Sequence, residues 1–124
     1  MTAQHPAQDR SQHPSQRVLR IDGRRFLAED FHDIFSEVFG FPVSYGRNMD
    51  DWIDCMTSLD APADGLSTVT VPTGGILVLQ IDHFELLKHH RPDVVDVIVE
   101  CSAFVNWRRR AQSNPAVIAL SFGD

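Results

Sequence analysis

Long apolar runs are missing from this sequence. No stretch approaches the roughly 18–20 residues that a membrane-spanning helix needs. The polar N-terminus has no apolar signal core, so nothing in it points to export, and a cytoplasmic protein is expected. Cysteine is scarce, with only Cys55 and Cys101. Two thiols with apolar neighbours in an unexported chain read as reduced and buried, although one disulfide stays open. Neither the cysteines nor the histidines fall at a close zinc spacing, and adjacent His89 and His90 cannot share a helix face, so neither a metal nor another cofactor is expected. Positive charge is also in deficit: 11 Lys and Arg stand against 17 Asp and Glu, for a net charge of −6. A general nucleic-acid binder needs the opposite balance, because binding runs on displacing counterions from phosphates. An acidic chain can instead offer carboxylates to a basic partner.

What is present fits one small domain. The chain has 124 residues and 43% hydrophobic side chains. Residues 1–16, rich in Gln, His, Pro and Ser, cannot offset their ordering entropy by burial and read as a disordered tail. The domain is expected over 17–124. Val18, Leu19 and Ile21 before Asp22-Gly23 read as a strand and turn. Phe31, Ile34, Phe35 and Val38 share one helical face, with Glu29 and Asp30 at its start and Gly40 at its end. Asn48 caps a second helix with Asp50 and Asp51 in its first turn and an apolar stripe of Met49, Trp52, Ile53, Met56 and Leu59. Residues 68–71 are β-prone, and 60–75 reads as an inserted hairpin. Residues 76–81 (ILVLQI) and 116–122 (AVIALSF) read as strands covered on both faces. Asp82 is expected to cap a short helix carrying Phe84, Leu86 and Leu87.

Residues 92–111 are rich in β-branched side chains, but Pro92 at the first turn, early acids and late arginines favour a helix. Its inner row would be Val94, Ile98, Cys101, Val105 and Arg108. Strands separated by helices imply an α/β fold, a three-stranded parallel sheet with about four helices.

The acids are unevenly placed. Residues 29–60 hold eight of them (Glu29, Asp30, Asp33, Glu37, Asp50, Asp51, Asp54 and Asp60) against one base, Arg47. Asp50, Asp54 and Thr57 fall on one side of their helix, and Asp51 lies about 100° away, still outside the apolar stripe. Tyr45 and Gly46, in the loop before it, suit a binding surface. Two readings stay open from composition: a solvated acidic face, or a carboxylate surface aimed at a cationic partner. Arg108, Arg109 and Arg110 read as complementing a helix C-terminus and balancing the acidic surface. His32 and His83 are isolated, and no base–nucleophile pair is legible, so an enzyme is not expected.

The sequence around these acids resembles the barstar family, intracellular inhibitors of barnase-type ribonucleases. The resemblance rests on Pro42, on Tyr45-Gly46-x-Asn48-x-Asp50 and on Asp54-Cys55-x-Thr57. Weaker agreement extends over Ile21-x-Gly23, Asp30-x-His32, residues 77–79 with Phe84, and residues 118–121. It implies a barstar-like fold and a monomer that plugs a basic, extracellular or toxin-type ribonuclease 1:1. By the same resemblance Asp54 would sit where the nuclease holds the RNA phosphate, and Asp50 would meet a neighbouring cation. Gly46 and Asn48 would give close approach and the cap, and Thr57 a rim contact. Tyr45, Gly46, Asn48, Asp50, Asp51, Asp54 and Thr57 are thus the candidate partner-binding residues. The chain departs from the pattern at Ser44 and Ile53, where the family has aromatics, at Asp51, where it has a small residue, and at 105–110 (VNWRRR), where a further acid is absent. The alternative is a non-enzymatic interaction module of the same fold that binds an unrelated basic protein.

Overall fold

The computed structural model describes residues 15–124. The expected tail at 1–16 lies, but for its last two residues, outside them. The first strand, β1 (Gln16–Asp22), leads into α1 (Arg25–Ala28), α2 (Phe31–Phe39) and α3 (Met49–Thr57). A 3₁₀ turn at Pro62–Asp64 precedes β2 (Ile76–Asp82). Next come α4 (Phe84–His90), α5 (Pro92–Ala111) and β3 (Ile118–Phe122). The strands form one sheet in the order β1-β2-β3, and both pairs are parallel. Parallel neighbours need long crossovers, and the helices supply them. The expected small α/β architecture is therefore present, with α1 as an added four-residue helix built around buried Phe26.

Register decides which face of the sheet is covered. Leu19, Leu79 and Leu120 align, as do Ile21 with Ile81 and Leu77 with Ile118. These rows join the core with Ile34, Phe35, Phe39, Trp52, Met56 and Leu59 from α2, α3 and the turn that follows. The alternate rows stay half-buried or exposed: Val18 is 52% exposed, and Ile76, Val78, Gln80, Ala119 and Ser121 are partly open. The expectation that ILVLQI and AVIALSF are covered on both faces is corrected. An apolar run fixes strand character, but only partners fix coverage, and here the strictly alternating burial of β2 shows one covered face.

Residues 60–75 are not a hairpin, and 68–71 is not a strand. The Thr68 and Val69 amides donate to the Phe39 carbonyl and the Val71 amide to the Leu59 carbonyl. The segment bends at Thr68 and Val69, with Val69 and Val71 buried, and it ties helix ends together rather than pairing with another strand. The β-prone residues at 68–71 do not form a strand. Asp82 does not cap α4. Its carboxylate takes Arg20 and Gln80 instead, and His83 precedes the helix with φ 53°. In α5 the buried row is Val94, Ile98, Ser102, Val105 and Arg109. Cys101 and Arg108 lie one residue aside, on its flank.

Burial of Arg109 sets how α3 and α5 meet. Its guanidinium grips both carboxylate oxygens of Asp60 at 2.9 and 2.8 Å. It also donates to the Thr57 and Pro115 carbonyls, each at 2.8 Å. The side chains are only 5% and 12% exposed, so every charge there has a mate. Burial works against ionising Asp60, but the Arg109 bonds and the Gly74 amide outweigh it and hold its pKa below the usual range. Removing one member of such a pair strands the other, at a cost of about 3–5 kcal/mol. Arg109→Ala is therefore expected to lower denaturant stability by about that amount, and a loss under about 1 kcal/mol would contradict the buried pairing. A carboxyl with a depressed native pKa stabilises fully above its unfolded value of about 3.9 and loses that stabilisation as pH falls through the native value. The stability gap between wild type and Asp60→Asn should thus be constant near neutrality and shrink below about pH 4, measured by thermal melts across that range.

Candidate functional site

The loop before α3 is locked by its own side chains. The Tyr45 amide closes a turn on the Pro42 carbonyl. The Tyr45 ring packs 4.7 Å from Phe41, and its hydroxyl lies 2.6 Å from His32 Nδ1. Burial, with Cys55 and Asp51 nearby, pushes the Tyr45 phenol up, while burial lowers His32 against the pull of Asp30. Tyr45 is thus a neutral strut between loop and α2. The Gly46 amide donates to Asp51 Oδ2 at 2.5 Å, and its carbonyl accepts from Asn48 Nδ2 at 3.3 Å. A Cβ on Gly46 would lie 2.5 Å from Asp51 Oδ2 and 2.9 Å from Asn48 Nδ2, so any larger residue would push those two side-chain ends aside. Asn48 caps α3, its Oδ1 accepting from the Asp51 amide at 2.8 Å. Arg47 takes a left-handed backbone (φ 56°) and spends its guanidinium on Asp30, at 2.9 Å, and on Asp33 of α2.

Beyond the cap, the row expected from helical spacing is present. Asp50 and Asp54 are exposed and Thr57 is half-buried on one side of α3. Trp52, Cys55 and Met56 face the core. Burial, then the charges of Asp51 and Asp54, lifts the Cys55 thiol to about 11, so it is no ready nucleophile. Asp51 does not join the row, because its carboxylate turns back to the Gly46 amide. Asp50 makes no ion pair or side-chain hydrogen bond among the described residues. Its charge, after burial and Glu100, helps raise the Cys101 thiol on α5, which places it at the α3–α5 seam. Asp54 is 58% exposed and carries a partner from α5: Arg108 Nη2 reaches its Oδ1 at 2.8 Å. The same nitrogen donates to Thr57 Oγ1 at 3.0 Å, while Thr57 donates to the Ile53 carbonyl at 2.6 Å.

These contacts redraw the charge imbalance of residues 29–60. Arg25 pairs with Glu29 and Glu37, Arg47 with Asp30 and Asp33, Arg108 with Asp54, and Arg109 with Asp60. Of the eight acids, Asp50 and Asp51 are left without a cation within 4.0 Å among the described residues. Three of the four compensating arginines lie outside the acidic stretch, so a local count could not find them. The role of Arg108 at Asp54 was missed in particular; the Arg108–Arg110 run showed only that positive charge gathers at the end of α5.

The arrangement offers an acidic ridge on a capped helix. Among the described residues no three His, Cys, Asp or Glu gather closely enough to hold a metal, and no helix is long and apolar enough to cross a membrane. The family model described as "Barstar (barnase inhibitor)" matches residues 16–120 and so spans every candidate site residue. No curated protein matches the chain. With its three-stranded parallel sheet, helical crossovers and capped acidic helix, the chain belongs to the barstar family of barnase inhibitors.

Proposed function

We propose that the chain blocks a barnase-type ribonuclease by laying the Asp50–Asp54–Thr57 side of α3, with the loop at 44–48, into the site that holds the RNA phosphate. One observation carries this reading: in a member of the barnase-inhibitor family, an exposed carboxylate row stands on a helix whose start is fixed by the Asn48 cap and the Gly46–Asp51 bond. An enzyme that binds phosphate has a preformed cationic cleft. A rigid row of carboxylates satisfies that cleft without offering a scissile bond. Attraction between the acidic chain and a basic nuclease also speeds encounter. The barnase–barstar pair is itself the reference case for these effects.

In this reading Asp54 is the principal anion and Asp50 the second, and Thr57 lies at the rim. Tyr45, Gly46, Asn48 and Asp51 act by holding the loop and the helix start, as their internal bonds indicate. The inhibitor works as a monomer, 1:1, and needs no cofactor. It stays in the cytoplasm of a cell that makes a secreted or toxin-type nuclease, where it confers immunity.

A second reading is favoured by Arg108. Because Asp54 already has a cation, the ridge is less negative than its sequence, and the same fold could serve as an interaction module for an unrelated basic protein. Inhibition of barnase separates the two readings.

Asp54→Ala should weaken binding to barnase by about 2–5 kcal/mol, because it leaves partner cations buried without a mate. Asp50→Ala should cost less. Titration calorimetry measures both, and an Asp54→Ala variant within threefold of wild type would reject the site. Gly46→Ala should weaken binding by disturbing the Gly46–Asp51 bond and the Asn48 cap, since the new methyl displaces those side-chain ends. A crystal structure of that variant with the Asp51 and Asn48 side chains unmoved would contradict the close packing. Raising salt should slow association much more than it speeds dissociation, and stopped-flow rates with a salt-independent association step would rule out steering.

A further inference from the structure

Two adjacent arginines at the end of α5 do different work. Arg109 is buried and saturated by Asp60, Thr57 and Pro115. Arg108 is 31% exposed and contacts the acidic row itself, through one nitrogen, at Asp54 and Thr57. Its Nε and Nη1 take no hydrogen bond among the described residues. In the free protein, therefore, the carboxylate offered to a partner is already occupied by an internal cation.

We infer that Arg108 is an autoinhibitory counterion, one that occupies Asp54 in the free protein and must be displaced by any partner that engages that carboxylate. The inference rests on the reading of α3 as the partner-binding helix. An ion pair this exposed is weak, because water screens it and because two side chains must be held in one geometry. A surface with a single flexible cation offers Asp54 no more than Arg108 already supplies, so exchange gains nothing. A groove that presents several preorganised donors and excludes water offers far more. Such a groove displaces the guanidinium, whose long stem can swing to solvent. The internal pair thus sets a threshold: a partner that displaces Arg108 loses the full strength of the pair, and one that does not displace it leaves Asp54 unused.

The test measures wild type, Arg108→Ala, Arg108→Gln and Arg108→Lys against two probes: barnase, by inhibition of RNA cleavage, and cytochrome c, a basic protein without a phosphate-binding groove, by equilibrium binding at low salt. Arg110→Ala, which removes the same charge from an exposed side chain outside the row, is the control. Loss of Arg108 should tighten barnase inhibition by about twofold to fivefold. It should raise cytochrome c binding by no larger a factor, since a partner too weak to displace Arg108 gains at most the strength of the pair. Arg108→Lys should stay near wild type, Arg110→Ala should change both much less, and in an Asp54→Ala background the Arg108 effect should vanish. Barnase inhibition unchanged within twofold, weakened inhibition, or an effect that persists without Asp54 would each overturn the inference while leaving inhibition by wild type intact. Failure of wild type and all variants to inhibit barnase would instead remove the parent reading, and this inference with it.

Discussion

The buried Arg109–Asp60 pair holds the end of α3 against the end of α5. An acidic ridge can be presented rigidly only if its helix cannot rock, and α3 is pinned at both ends. At the start, Asn48 and the Gly46–Asp51 bond fix where the helix begins. At the finish, Arg109 reaches the Thr57 carbonyl and Asp60 together. Between these points Trp52, Cys55 and Met56 bury the inner side. The outer side then carries charge, and Arg108 of α5 ties Asp54 and Thr57 on it.

Charge in this molecule is arranged in space rather than along the chain. The acidic stretch is negative by sequence, yet arginines from α1, α5 and the loop at 44–48 return to it until Asp50 stands alone in the row. A ridge neutralised in this way can still act on a cationic cleft. Exposed pairs cost little to exchange, while charges fixed inside a water-excluding interface interact strongly. The internal pairs also lessen repulsion among neighbouring carboxylates, which helps explain how so many acids fit around two short helices.

Much of the fold was legible because local signals agreed. Asp30 and Gly40 bound α2 as capping chemistry requires, and Asn48 starts α3 where its side chain accepts the Asp51 amide. Pro92 and the late arginines outweighed the valines and isoleucine of α5. Features decided by distant partners were not legible. The valines at 69 and 71 alternate as a strand would, but Phe39 and Leu59 carbonyls hold them. Phe26 alone could not announce the four-residue α1. The apolar runs of β2 and β3 could not say that one sheet face stays uncovered. In the candidate site, the Asp50, Asp54 and Thr57 row followed from helical spacing, and Asn48 from capping. The inward turn of Asp51, the strut made by Tyr45 and His32, and the bond from Arg108 to Asp54 all join residues that spacing along one helix does not relate.

That α3 occupies a phosphate site is tested most directly by competition. The dissociation constant of the complex with barnase would be measured at rising concentrations of a non-hydrolysable dinucleotide that fills the nuclease cleft. If the acidic row stands in for RNA, the apparent constant should climb in proportion to dinucleotide, with no ternary complex. A tight complex whose affinity is indifferent to a saturated cleft would contradict it.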